Sequence, residues 1–180
     1  MDKLQYKKYL KSENRLTKPK NIISPRYTKQ GFRKGILEVE KRLEESGRAW
    51  SKKDKDFINP LEHMFADGLY VRKIFTPAGQ LLVTEIHKKD NAFFVMKGEI
   101  TIMSEEGEVT IEAPYYGITK AGTKRIIYIH KDCIFVTVHS TDAKNVKDAE
   151  KELIAKSFKE VGVWYVICSI GNIRCDSFRS

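Results

Sequence analysis

The sequence predicts a mainly β protein, an antiparallel sandwich or small closed barrel of jelly-roll type, and three observations carry that expectation. Short runs rich in Val, Ile, Thr, Tyr and Phe recur at close intervals between residues 69 and 139; such side chains suit a pleated, half-buried surface. The turn signals PAG, KKDN, EEG, KAG and HKD separate them, each supplying the Gly, Pro, Asn or Asp that tight turns use. No long helix interrupts the series, so the strands must pair with one another and close over a single core.

The chain divides into three parts: residues 1–59, a basic arm, a helix and a linker; residues 60–140, the β-barrel; and residues 141–180, a C-terminal helix and an apolar tail. Residues 1–29 carry Pro19 and Pro25 among lysines and asparagines. Their apolar residues are too sparse for a core, which predicts extended or disordered chain with a short helix near Leu4–Leu10. In 30–46, QGFRKGILEVEKRLEES, the residues Phe32, Ile36, Val39 and Leu43 recur at helical spacing, with Thr28 as cap and Gly47 as stop. The apolar stripe of this helix docks either on the domain's own sheet or on a neighbouring subunit. A polar linker follows and closes at Asn59-Pro60.

The predicted strands are LYVRKIF (69–75), LLVTEI (81–86), AFFVMK (92–97), EITIMS (99–104), EVTIEA (108–113), YYGIT (115–119), KRIIYIH (124–130) and CIFVTVH (133–139). After them Ser140, Thr141 and Asp142 are cap candidates for a helix whose stripe is Val146, Ala149, Leu153 and Phe158. Residues 162–180 are strand-like and apolar up to Ile170, suited to an edge strand or to pairing across a dimer.

Composition bounds the function. Residues 1–60 hold 17 Lys and Arg against 8 Asp and Glu, residues 61–180 hold 16 of each, and the net charge of +9 therefore lies in the first third. A basic arm on a neutral domain predicts weak, sequence-independent polyanion binding, since it offers no stacking platform or recognition helix for reading bases. Cys133, Cys168 and Cys175 are odd in number and lack metal-ligand spacing, which fits a reducing compartment and buried or tail thiols. The first residues lack the apolar run of a signal peptide and no stretch of 18 apolar residues occurs, so a cytoplasmic protein with no membrane contact is expected. There is no Walker loop, GxGxxG, GxSxG, CxxC or HExxH.

Chemistry concentrates in the hairpin Gly79–Gly98, GQLLVTEIHKKDNAFFVMKG. Alternation puts Leu81, Val83, Glu85 and His87 on one face of its first strand and Leu82, Thr84 and Ile86 on the other. Leu82 and Ile86 then point outward and call for a helix or a second subunit as cover, which predicts a homodimer or larger assembly.

Gly79, Glu85-Ile-His87, Asn91 and Gly98-Glu99 together resemble the first motif of the cupin superfamily, and Lys120-Ala121-Gly122-Thr-Lys-Arg125 is similar to its second. The resemblance covers residues 60–140. With INPLEHMFADGLYVRKIF ahead of it, the stretch looks like a group of small cupin-like proteins of tailed bacteriophages. It implies a cupin-type jelly-roll barrel and carries the family's ligand positions onto Glu85, His87, Asn91 and Arg125. Only one of three histidines survives there. A guanidinium offers donors only and cannot ligate a cation, so no metal or other cofactor is expected, and Arg125 is expected to replace the metal's charge by pairing with Glu85 inside the barrel mouth. Metal binding would need His87 and Glu85 with one of His130, His139 or His63.

Two functions follow from the resemblance. The first is a non-catalytic binding or structural protein, either a virion accessory part or a sequestering or regulatory protein in the infected cell, with a phage or host protein as partner. The alternative is a small-molecule enzyme of isomerase, epimerase or dioxygenase type, with His87 as candidate catalytic residue beside Tyr128 or Tyr116. A further arrangement rings a phosphate or carboxylate with Arg72, Lys97, Lys124 and Arg125, although alternation sets Lys124 opposite Arg125.

Overall fold

The structure, a computed structural model, describes residues 19–46 and 59–162. In chain order these form β1 (Asn21–Ile23), α1 (Lys29–Glu45), β2 (Leu61–Ala66), β3 (Leu69–Thr76), β4 (Leu81–Val83), β5 (Ile86–His87), β6 (Asn91–Ser104), β7 (Gly107–Glu112), β8 (Tyr115–Thr119), β9 (Ile126–Ser140), α2 (Val146–Leu153), β10 (Ile154–Ala155) and a 3-10 turn at Phe158–Val161. The strand pairs are antiparallel. The expectations for Leu4–Leu10 and for residues 163–180 lie outside the described residues.

Two long strands form the spine. β6 and β9 pair from Ala92–Val138 to Met103–Ile126, with register shifts between Val95 and Ile100. Gly98 sits at that irregularity with φ 98°, and a Cβ there would lie 2.5 Å from the carbonyl oxygen of Asp132. The missing side chain lets the two backbones approach and bend together. On one side of the bend β6 pairs with β8 and β9 with β3; on the other, β6 pairs with β7 and β9 with β4. The result is two half-sheets, β2-β3-β9-β6-β8 and β4-β9-β6-β7-β1. Separate strands were expected at 92–97 and 99–104, and at 124–130 and 133–139. Each pair is one bent strand: Gly98 in β6 lets its backbone close on Lys131 and Asp132 of β9, so both chains bend there instead of turning back.

The core shows that the half-sheets face each other. Phe93 and Val95 from the first pack with Ile100, Ile102, Ile111, Ile127 and Ile129 from the second. The fold is therefore mainly β and of jelly-roll type. It does not close as a hydrogen-bonded barrel, since the strand order runs from β1 to β2 without joining. Two edge strands went unpredicted: β2, which turns into β3 at Asp67-Gly68, and β1, which places part of the arm on the edge of β7. Deleting residues 1–29 would remove β1 and the α1 cap as well as charge.

The expected first helix forms as α1. Thr28 caps it by accepting from the Gly31 amide at 3.1 Å; Phe32 and Ile36 are buried, and Val39 and Leu43 half-buried. It docks on its own domain. The Arg33 guanidinium bonds Glu105, with Nη2 at 2.7 Å, and lies 5.4 Å over the ring of Phe158, while Glu40 takes Lys124 Nζ at 2.8 Å. The C-terminal helix is shorter than predicted. Asn145 caps α2 rather than residues 140–142, because the Thr141 hydroxyl donates to Glu152 instead. Phe158 lies in the 3-10 turn, buried with Ile86 and Ala155.

The face assignments in the hairpin need correction. Leu82 pairs with Ile127 and packs on the main core, so it points inward, while Leu81 and Tyr128 face out. Ile86 is buried under Ala155 and Phe158, so neither residue forms the expected outer patch. A different apolar surface remains. On the outer face of the first half-sheet, Met64, Leu69, Met96, Tyr116 and Ile118 are exposed around Val71, Val136 and Val138. No helix among the described residues is long and apolar enough to cross a membrane.

Candidate functional site

The interior of the first half-sheet turns polar at one end. Phe93 and Val95 point into the core, so Asn91 shares their face, and the register places Thr119 on β8 opposite Asn91. On β9 the same face carries Thr137 and His139, and on β3 Arg72 and Tyr70, paired with them in turn. Arg125, just ahead of β9, and His87, on β5 in its separate pairing with β10, add to it.

Arg125 is held from its backbone outward. Its amide donates to Thr84 Oγ1 at 3.0 Å and its carbonyl accepts from the Thr84 amide at 2.9 Å. The side chain, 8% exposed, runs inward; Nη2 donates to Thr119 Oγ1 and the guanidinium lies 5.1 Å over the Phe93 ring. Nε has no partner. Burial pulls its pKa down to about 10, so the group remains a cation at neutral pH.

His87 stacks on His139 with ring centroids 4.9 Å apart. His139 Nε2 meets Thr137 Oγ1 at 2.9 Å, and its ring lies 5.9 Å from that of Tyr70, whose hydroxyl pairs with His63 Nδ1 at 2.6 Å. Burial lowers His87 to about 4, helped by repulsion from His139, Arg125 and Arg72. His139 is likewise lowered to about 4, by burial and then Arg72. Both imidazoles are thus neutral at pH 7, in a positive field to which Arg72 and Arg125 both contribute. His87 Nδ1 and Asn91 Oδ1 are buried without partners among the described residues, like Arg125 Nε. Leaving a buried polar atom unpaired costs about 1–3 kcal/mol, and such atoms are few in native proteins.

Of the four sequence-derived positions, the structure brings His87, Asn91 and Arg125 to this interior and leaves Glu85 outside. Glu85 is exposed, and Arg125 bonds Thr119 in place of the expected Glu85 ion pair. The chain leaves β4 after Val83 and re-forms as β5 at Ile86, so strand alternation does not run through Glu85. Tyr116 and Tyr128 lie on the surface, away from His87, and Tyr128 packs edge-on to His130. His130 bonds Thr101 at 2.7 Å. Lys124 is buried against Glu40, and Lys97 is exposed, so of the four basic residues only Arg72 and Arg125 converge. The pairing of His139 with His87 was missed as a unit, although alternation through CIFVTVH places Phe135, Thr137 and His139 on one face.

The donor set does not fit the metal that a cupin-like barrel implies. His87, His139 and Asn91 stand with two guanidiniums and no carboxylate, and no group of three or more His, Cys, Asp or Glu is placed to hold a metal ion among the described residues.

No protein-family model matches the sequence, and no curated protein does. Solved structures do match. A cupin-2 domain protein from Shewanella frigidimarina is 14% identical, with 53% of this chain and 98% of that one covered at a TM-score of 0.40. A cupin domain protein from Bordetella pertussis is 16% identical, covering 46% of this chain and 93% of that one at 0.38. An acetylacetone dioxygenase from Acinetobacter johnsonii is 18% identical over 44% of this chain and 58% of that one, also at 0.38. Several of the solved structures to which this chain is similar are thus cupin-domain proteins.

Proposed function

We propose that this chain is a cupin-like, metal-independent binding protein that encloses a small anion between its half-sheets, within reach of Arg125 and Arg72. One observation carries the reading: Arg125 is buried and charged, it bonds a neutral threonine rather than a carboxylate, and its Nε is unpaired. Moving an isolated charge out of water is strongly unfavourable unless something compensates it. An anionic oxygen supplies that compensation, and a guanidinium suits carboxylate or phosphate oxygens.

The resemblance of residues 60–140 to phage proteins supports a place in the infected cell. Within that setting the interior favours a sequestering or regulatory role over a virion part. A purely structural domain fills its core with apolar side chains, whereas this one keeps three polar atoms unpaired at one end. A second reading, an isomerase or epimerase, is favoured by a neutral His87 whose Nδ1 is free to take a proton. The dioxygenase version would require a metal that the donor set does not fit.

Thermal melting in sodium acetate, phosphate or sulfate, against chloride at matched ionic strength, tests the binding reading. At a hundredfold excess over Kd a ligand stabilises by about 2.7 kcal/mol, which for a chain of this size raises Tm by roughly 5–10 °C. That rise is expected for at least one anion and should be absent in Arg125→Met. Equal responses of the two proteins to every anion would overturn the proposal.

A further inference from the structure

Three buried atoms, on His87, Asn91 and Arg125, have no partner among the described residues, and their chemistry specifies more than a negative charge. Arg125 Nε can only donate and Asn91 Oδ1 can only accept, while neutral His87 Nδ1 takes either role according to its tautomer. The amide of Asn91 is oriented by its Nδ2, which donates to the Ala92 carbonyl at 3.5 Å. An anionic oxygen satisfies Arg125 Nε and is repelled by Asn91 Oδ1; a proton donor satisfies Asn91 Oδ1 and is useless to Arg125.

The two demands sit side by side. Asn91 and Thr119 are direct partners across β6 and β8, and Thr119 Oγ1 is the atom that holds Arg125 Nη2. Asn91 is 3% exposed and Arg125 8%, so water does not meet these demands freely. A single ligand that pairs both atoms must therefore carry an anionic oxygen and a donor within a few bonds of each other. The donor is better neutral than cationic, because both Arg125 and Arg72 set a positive field over this interior.

We infer that the ligand is an α-hydroxycarboxylate, bound with its carboxylate on Arg125 and its hydroxyl donating to Asn91 Oδ1. This rests on the anion-binding reading above and narrows it to one chemical class. A plain carboxylate of the same size leaves Asn91 unpaired. An α-amino acid brings its ammonium into the field of two guanidiniums.

Titration calorimetry of the full chain with sodium glycolate, sodium acetate and glycine at pH 7.5 tests it, with lactate against propionate as a second matched pair. Glycolate is expected to bind at least tenfold more tightly than acetate or glycine, and lactate than propionate. In Asn91→Leu the preference should shrink to within about threefold, through loss of glycolate affinity and not gain of acetate affinity. The matched pairs need only the parent protein, so the test stands even if that variant folds poorly. Equal binding of glycolate and acetate by the parent would sink the hydroxyl assignment and leave the anion site standing. Binding of neither, or binding unchanged in Arg125→Met, would overturn both.

Discussion

The imidazoles of His87 and His139 stack 4.9 Å apart inside the sandwich, and burial holds both well below the ordinary histidine pKa, at about 4. Their titration therefore works against the fold. Between pH 6.5 and 4 the unfolded chain binds more protons than the native one, so stability rises with pH in that window. The contribution is fully present above pH 6.5 and is lost as pH falls through 4. Urea midpoints measured from pH 7.5 to 4.5 should drop by an amount worth on the order of a few kcal/mol. In His87→Phe/His139→Phe the slope across that window should flatten, and an unchanged slope would show that the pair is not buried neutral.

Glu85 and Arg125 behave independently. Glu85→Leu should change stability by no more than about 0.5 kcal/mol, as expected of an exposed side chain without a special partner. Arg125→Met removes a buried charge that has no carboxylate, so the ligand-free protein should be no less stable than the parent. Chemical denaturation checks both, and a loss of about 3 kcal/mol in either variant, recovered in the double mutant, would restore the ion pair that the sequence suggested.

Gly98 should be far less replaceable than Gly79. Its φ is 98°, and a Cβ added to it would lie only 2.5 Å from the Asp132 oxygen, so Gly98→Ala must both strain the backbone and force β6 from β9. A cost of at least about 3 kcal/mol is expected. Gly79 also has positive φ, at 85°, but nothing lies within 4 Å of its Cβ position. Gly79→Ala should cost only about 1 kcal/mol, and similar losses at the two sites would argue against the close approach.

The Glu40–Lys124 pair fastens α1. Lys124 has a side-chain exposure of 5% and Glu40 of 33%, whereas the Lys73–Glu62 pair is exposed on both sides at 38% and 61%. Removing the partner of a desolvated ammonium leaves it uncompensated, so Glu40→Ala should cost about 2–3 kcal/mol. Glu62→Ala should cost less than about 0.5 kcal/mol. Denaturation midpoints of the two variants decide whether burial governs the difference.

The apolar outer face of the first half-sheet predicts self-association. Five strands at about 4.8 Å spacing present a patch on the order of 500 Å², large for a surface left in water. Its charges on β2 and β3, Glu62 and Lys73, already pair with each other at 2.9 Å, so a second copy meets no unpaired charge there. Light scattering at micromolar concentration should report a dimer, and Met64→Glu/Ile118→Glu should report a monomer. A monomeric parent would assign the face to some other partner.

The sequence by itself determined the fold class and the helix over residues 30–46, through local periodicity: apolar residues at helical spacing beside the Thr28 cap, and β-rich runs between turn signals. Of the four positions that the motif resemblance suggested, His87, Asn91 and Arg125 meet inside. Which face each hairpin residue takes was decided only by tertiary structure. Side chains alternate with a period of two, so any break in a strand decouples the faces before and after it. The break between Val83 and Ile86 is set by partners far along the chain. Thr84 is tied to Arg125, and His87 and Ile86 pair with Ile154 and Ala155 on β10. Those contacts put Leu82 into the core, turned Glu85 to solvent and left Arg125 inside without the carboxylate expected for it.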